Sequence, residues 1–459
     1  MKRAPSTHHE ARPSRPSPPA SASRPGPGGE LARTLTPFAA LMLTLSAATP
    51  ASSAFVILPN VLHDAGPGTF MALLAAALIA VLVAQAYAEL ASAFPHAGGE
   101  YAFVRATIGT GPSMAMLAVN GVNCFLTIAV FSRGAADYLA ASLPGAPAGA
   151  ALAAAAMGVG LLRLRSGALV TGLFLGVELA ALALVAGLGI ANPQRPASAL
   201  VPVRALAPMA LPALALGATS ALFVFDGYGT AVYFAEELRD ASRRVAGVVL
   251  MAFGAMAVIE LGVAAALVIG ARDLPALGAA GSPLSAFVAE RAGPGAAHAM
   301  SLAVGLAVWN AAIAAVLLTA RQLFAWGRDG LLGAPSVRLA TVTPRGVPRA
   351  ATLVTGAAGV ALCLLPMKLL LLLTGAGLAF VYAGLALALI AGRRSGATVH
   401  ARHRAPGGLA LPVLLLIVLA GVIAVGATEA DGRISVAFTL VTGGAAWGLW
   451  RVSGRQRAG

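Results

Sequence analysis

Long apolar blocks, separated by short polar stretches, dominate the hydrophobic pattern of this chain. Thr69–Ala86, Met114–Ser132, Leu369–Ala391 and Ile434–Trp450 are the clearest, and none carries a charge. Each comes close to the roughly 20 residues that cross a bilayer core as a helix. Spans are predicted at 37–62, 69–92, 112–142, 148–162, 167–190, 210–234, 246–270, 297–325, 350–366, 369–391, 410–427 and 434–450. The pattern predicts an all-α polytopic membrane protein of about 12 transmembrane helices. The fourth span is short.

Two of these spans are interrupted. The sixth reads FVFDGYGTAVYFAEE over residues 223–237 and holds Asp226, Gly227 and Gly229 in an apolar setting. Hydrocarbon offers no water to satisfy a broken backbone, and a charge at that depth costs roughly 2.5–3.5 kcal/mol or more. The first span carries Pro50, which lacks an N–H, with Thr49, Ser52 and Ser53 around it.

The interruptions occupy corresponding places. Ser52 and Asp226, and the starts of the second and seventh and of the third and eighth spans, are offset by about 174 to 185 residues. Five spans per half, an odd number, make the halves inverted, although no sequence identity is visible at that offset. Interrupted segments at matching places in inverted halves point to a transporter site at mid-membrane. N–H groups around Ser53 to Phe55 would hold a carboxylate, and carbonyls around Phe223 to Asp226 an ammonium. Phe223, Phe225 and Tyr228 would supply bulk and close the site.

Only 10% of the 459 residues are charged and 58% are hydrophobic, with a mean hydropathy of +0.84. That excludes a soluble globular protein. A net charge of +14 could suggest nucleic acid, but its distribution does not. With a cytoplasmic N-terminus, only Arg195, Arg204, Arg272, Arg291, Lys368 and Arg433 face outward. Arg133 falls within a span, and the other basic residues lie inside, as the positive-inside rule expects. Both termini are therefore expected in the cytoplasm. The preference for Arg over Lys fits a GC-rich bacterial genome, hence a bacterial cytoplasmic membrane.

Residues 1–34 are rich in Pro, Ser and Arg and read as a disordered basic tail. Residues 35–452 form the transmembrane domain and 453–459 a second tail. A cleaved signal peptide over Phe38–Ala54 is disfavoured by the long basic region before it. Cys124 and Cys363 lie in spans and suggest no disulfide framework, while the adjacent His8 and His9 in the tail are a poor metal site. No cofactor or metal is expected.

Three stretches carry a family resemblance. They are YAELASAFPHAGGEYAFV (87–104), FVFDGYGTAVYFAEE (223–237) and ARQLFAWGRDGLL (320–332). Over nearly all of residues 35–450 the chain resembles the amino acid–polyamine–organocation permeases. The resemblance implies a five-plus-five inverted-repeat fold with discontinuous helices 1 and 6, two further helices, and alternating access. It aligns the family's glycine–serine–glycine break with Ser52, Ser53 and Ala54, where both glycines are replaced. The aromatic gate falls on Phe223, and Asp226 on a position where the family offers a backbone carbonyl. Thr49, Gly227 and Tyr228 complete the expected substrate site, with Asn120, Trp309 and Asn310 as further pocket lining.

Buried ionisable residues in lipid are functional candidates. Glu178 and Glu260 have no sequence-local partner and are the candidates for proton coupling; Glu178 falls where some proton-dependent relatives carry a lysine. Arg133 and Asp137, one turn apart, are expected to pair. Glu89 and the pair Glu236–Glu237 are expected to anchor cytoplasmic loops. Sodium coupling is disfavoured, because Leu302–Leu318 offers no Ser or Thr.

The expected function is secondary transport of amino acids by proton coupling or exchange, with membrane lipid as surroundings. An amine or polyamine permease, with Asp226 as counter-ion, is the alternative within transport. From other classes, a channel or an amino-acid receptor on the same scaffold competes. An enzyme would need a catalytic motif that does not occur here. A major-facilitator transporter would need a long central loop, where this chain has only residues 236–245. Both a monomer and a homodimer fit the sequence.

Overall fold

A computed structural model describes residues 35–95, 98–140, 143–162, 168–202, 211–328, 330–331, 336–343 and 347–456. The expected N-terminal tail with His8 and His9, residues 457–459, and Asp329 of the third quoted stretch lie outside the described residues. Among those described the protein is helical; ten predicted spans each overlap one helix, and the first and sixth each overlap an interrupted series of helical elements.

The first span comprises α1 (Pro37–Ala48), α2 (Pro50–Ser52), a π-helical turn (Ser53–Ile57) and α3 (Leu58–Ala65). Thr36 starts α1, its hydroxyl accepting from the Ala39 N–H at 3.2 Å, with Pro37 in the first turn where no donor is needed. Next come α4 (Thr69–Ala93), α5 (Gly99–Thr107), α6 (Thr110–Leu139), α7 (Gly145–Gly160) and α8 (Ala168–Ala191). The sixth span comprises α9 (Leu211–Val224) and a 3₁₀ segment (Tyr228–Glu237). The chain continues through α10 (Ala241–Gly270), α11 (Leu274–Gly278), α12 (Pro283–Ala292), α13 (Pro294–Arg328) and α14 (Ser336–Leu339). It finishes with α15 (Arg349–Leu362), α16 (Met367–Ser395), α17 (Ala410–Gly426) and α18 (Ala430–Gln456). Among the described residues six stretches are long and apolar enough to cross a membrane: 37–93, α6, residues 172–191 of α8, α10, α13 and α16; α7, α15 and α17 are shorter apolar helices.

The bundle is apolar on its outside and polar at chosen points within. On α10, Val258 is 75% exposed, while Glu260, two residues on, is fully buried. Water would not favour that arrangement; lipid does. The elements of the first and sixth spans, and the long helices after them, pack on one another. The 3₁₀ segment lies against α1, α9 against α3, α10 against α4, and α13 against α6. A short backbone bridge joins the ends of the interrupted spans: the Leu35 N–H donates to Glu237 O at 2.9 Å, and the Arg239 N–H to Leu35 O at 3.2 Å.

Two charged anchors, a buried Glu89 and a half-buried Arg133, hold helix ends. Glu89, fully buried on α4, accepts from Arg393 Nε at 2.9 Å and from the Ala405 N–H at 2.7 Å. It therefore ties α4, α16 and the loop after α16, as expected of a loop anchor. Arg133 departs from expectation: it forms no ion pair with Asp137. Its guanidinium donates to the carbonyl oxygens of Cys363, at 3.2 Å, and Leu365, at the corner between α15 and α16. Helix ends leave carbonyls unsatisfied, and a guanidinium with five donors meets two at once. Asp137 is left exposed at the end of α6.

Candidate functional site

The two interruptions meet. At the first, Thr49 adopts a left-handed backbone (φ 45°, ψ 71°) between α1 and α2. At the second, Gly227 adopts φ 111° between α9 and the 3₁₀ segment. They are packed so closely that a Cβ on Gly227 would lie 2.6 Å from Ala48 Cα. Only glycine satisfies both that backbone and that approach.

The break in the first span falls earlier than the sequence suggested. Ser52 and Ser53 are helical, and their N–H groups donate to Thr49 O at 2.9 and 3.3 Å. The Ser53 N–H is thus already bonded, which corrects the expectation of a free donor there. The cause is Pro50: its fixed φ and missing donor suit the first residue of a new helix, so the interruption precedes it. Ala54 is fully buried in the π-helical turn beyond. The side-chain hydroxyls of Thr49 and Ser52 are buried and without a hydrogen-bond partner among the described residues.

The N–H that α2 does present is occupied from α8. Ala51 donates to Glu178 Oε2 at 3.4 Å. Glu178 is 3% exposed, and the two carboxylate oxygens of the fully buried Glu260 lack any partner among the described residues. Both α8 and α10 pack on α2. The Thr49 and Ser52 hydroxyls and the Glu178 carboxyl thus flank one helix start.

At the second interruption, the Asp226 N–H donates to Phe223 O at 3.1 Å, so that carbonyl is not free. The Asp226 carboxylate accepts from the Tyr382 hydroxyl at 3.2 Å and forms no ion pair among the described residues. Phe223 stacks on Phe131 of α6, with centroids 6.4 Å apart and planes 8° from parallel. Phe225 is fully buried. Tyr228 is edge-on to Tyr87 and Phe253, and its hydroxyl donates to Ala80 O at 3.3 Å.

The remaining expected lining is scattered. Trp309 donates to Leu152 O at 3.1 Å and ties α13 to α7; Asn310 is half-buried on α13. Asn120 belongs to a polar cluster towards the α5 end of the bundle. There Glu100 accepts from Tyr87 at 2.6 Å and Tyr233 at 2.5 Å, while Asn120 lies 3.5 Å from both Glu100 and Tyr233. At the opposite end a cavity of about 240 Å³ opens between Asn60, His63, Asp137 and Ser282. Its floor is Phe55 and Tyr138, edge-on at 5.9 Å, with the Tyr138 hydroxyl donating to Phe55 O at 2.7 Å.

Sequence reasoning missed Phe131, Tyr382, Glu100 and Tyr233. Tyr87 and Glu100 stood within a quoted motif, and Tyr233 within the interrupted span, but their partners are more than ten residues away. Among the described residues no cluster of His, Cys, Asp and Glu could hold a metal ion.

A comparison with curated proteins finds no match. The family described as Amino acid permease matches residues 35–446, from the start of the first interrupted span into the last helix. Its members move amino acids across membranes and are transporters, not enzymes. With its apolar-surfaced bundle and two facing helix interruptions, this chain is a multi-pass membrane protein and belongs to the amino acid permease family.

Proposed function

We propose that the protein is a secondary active transporter of amino acids, working by alternating access on a five-plus-five inverted repeat of about 12 crossings. The observation that carries this reading is the contact between Thr49–Ala48 and Gly227, two helix interruptions facing each other in a lipid-exposed bundle. The packing of α3 on α9, α4 on α10 and α6 on α13 supports the repeat. A substrate carboxylate lies against the unpartnered hydroxyls of Thr49 and Ser52; its ammonium lies towards Asp226. Phe223, stacked on Phe131, closes the site.

Glu178 carries the coupling proton, with Glu260 beside it. Ionised, Glu178 satisfies the start of α2 through Ala51; protonated, it attracts that N–H less. Proton binding thereby alters the hold on the segment that lines the substrate site. A second reading, a permease for amines, is favoured by one observation: Asp226 has no cationic partner among the described residues.

Thermal-shift measurements on purified protein, with free amino acids, their amides and the corresponding amines, test both readings. A ligand that binds only the folded state raises its stability by mass action. The amino acid reading expects a shift from the acid and little from the amide or amine. An equal shift from the amine overturns it in favour of the second reading.

A further inference from the structure

We propose that Glu100 is the latch of the gate at the α5 end of the bundle, the end that the basic residues mark as cytoplasmic. The inference rests on the alternating-access reading and adds a positioning residue to it. Glu100 sits on α5, outside the spans, and is only 5% exposed. Its carboxylate gathers hydroxyls from two other elements: Tyr87 of α4 at 2.6 Å and Tyr233 of the 3₁₀ segment at 2.5 Å. Asn120 of α6 adds contacts of 3.5 Å to the carboxylate and to Tyr233.

The position argues for a gate more than for a fold anchor. The 3₁₀ segment is the second half of the interrupted sixth span, and an interrupted helix can move its halves separately. Tyr233 is the point where that half is held to α5. The fit is close from both sides. Gly99, at φ 58°, could not carry a Cβ, because it would fall 2.6 Å from the Tyr233 ring. Gly229, on the same segment, admits Tyr87, whose ring atoms would lie 2.9 Å from a Cβ there. Two glycines thus let two tyrosines reach one carboxylate. No salt bridge to Glu100 occurs among the described residues, unlike Glu89, which the Arg393 guanidinium holds. Neutral donors exchange for water more cheaply than an ion pair breaks in a dry interior. That is the property a latch needs. Its opening frees the α5 end of the 3₁₀ segment, on the side where Asn120 lies.

The native Cys124 reports the latch. It lies about one helical turn beyond Asn120 on α6, half-buried, with its thiol donating to Gln322 at 3.3 Å. Full-length protein in lipid nanodiscs, carrying Cys363→Ala to remove the second thiol, is treated with a water-soluble maleimide. Tyr233→Phe deletes one hydroxyl and keeps the ring against Gly99; Glu100→Ala removes the hub. Each is expected to raise the Cys124 labelling rate roughly tenfold without a matching fall in Tm, the population change expected on losing one hydrogen bond to a charged group. Glu100→Gln, which keeps one acceptor, falls between. Unchanged labelling in folded Tyr233→Phe overturns the proposal and leaves Glu100 a loop anchor; a lowered Tm with unchanged labelling does the same. Labelling requires no substrate, so a failure to transport amino acids would sink the transport reading while leaving this result intact.

Discussion

Glu178 on α8 accepts a hydrogen bond from the backbone N–H of Ala51, 127 residues earlier, at the start of the restarted first span. A helix start is where backbone donors are unsatisfied and where negative charge is favoured. The protein therefore supplies its own carboxylate to the helix start, two residues before the N–H groups around Ser53 to Phe55 that the sequence suggested for a substrate. This separates two roles. Glu178→Gln keeps volume and hydrogen-bonding capacity and removes titration. Proteoliposomes containing this variant are expected to exchange labelled substrate at near wild-type rates yet fail to accumulate it under an imposed pH gradient. Continued accumulation would move the proton to another group, Glu260 first.

The Asp226 carboxylate accepts from the Tyr382 hydroxyl at 3.2 Å and has no cationic partner among the described residues. Asp226→Asn is expected to weaken substrate binding by about 1.5–3 kcal/mol, the range for a hydrogen bond to a charged group. The loss should be greatest for substrates with an additional positive charge. Equilibrium binding of a neutral and a cationic amino acid to the same preparation checks this, and equal losses would assign Asp226 to packing.

Phe223 and Phe131 stack at 6.4 Å. Aromatic pairs contribute about 0.5–1.5 kcal/mol beyond their burial. Phe223→Tyr and Phe223→Trp are expected to retain uptake, while Phe223→Ala loses most of it with the protein still folded by size-exclusion chromatography. Wild-type initial rates in the alanine variant would remove Phe223 from the gate.

Gly227 carries a left-handed backbone and an approach of 2.6 Å to Ala48 Cα for any added Cβ. Gly227→Ala is expected to cost more than about 1–3 kcal/mol, the strain of such a conformation, because a backbone clash adds to it. Gly247→Ala on α10 is the control, since its Cβ would meet nothing within 4 Å. A Tm fall in the first variant and none in the second is the predicted pair of outcomes.

The helices were legible because lipid leaves a chain little choice: each apolar block had to be helical. The second interruption was legible because Asp226 and Gly227 are residues that a continuous apolar helix does not favour. The first was located a few residues late, at Ser52 and Ser53, although Pro50 marks a helix beginning. Long-range partners were not legible. Arg133 and Asp137 look paired at a helical spacing, yet a chain corner more than 200 residues away offers better acceptors. The role of Glu100 was hidden likewise, since its partners come from α4, α6 and the 3₁₀ segment. Local spacing carries no information about which carbonyl or hydroxyl tertiary packing will deliver.

The buried pair of Glu89 and Arg393 joins positions 304 residues apart in the chain. Losing one partner strands a desolvated charge, at a cost of about 3–5 kcal/mol, whereas replacing both by apolar residues of like volume can be neutral. Single substitutions at either position are thus a barrier that paired ones avoid. Positions 89 and 393 are therefore expected to tolerate change only as a pair, so that a substitution at one is neutral or ruinous according to what stands at the other.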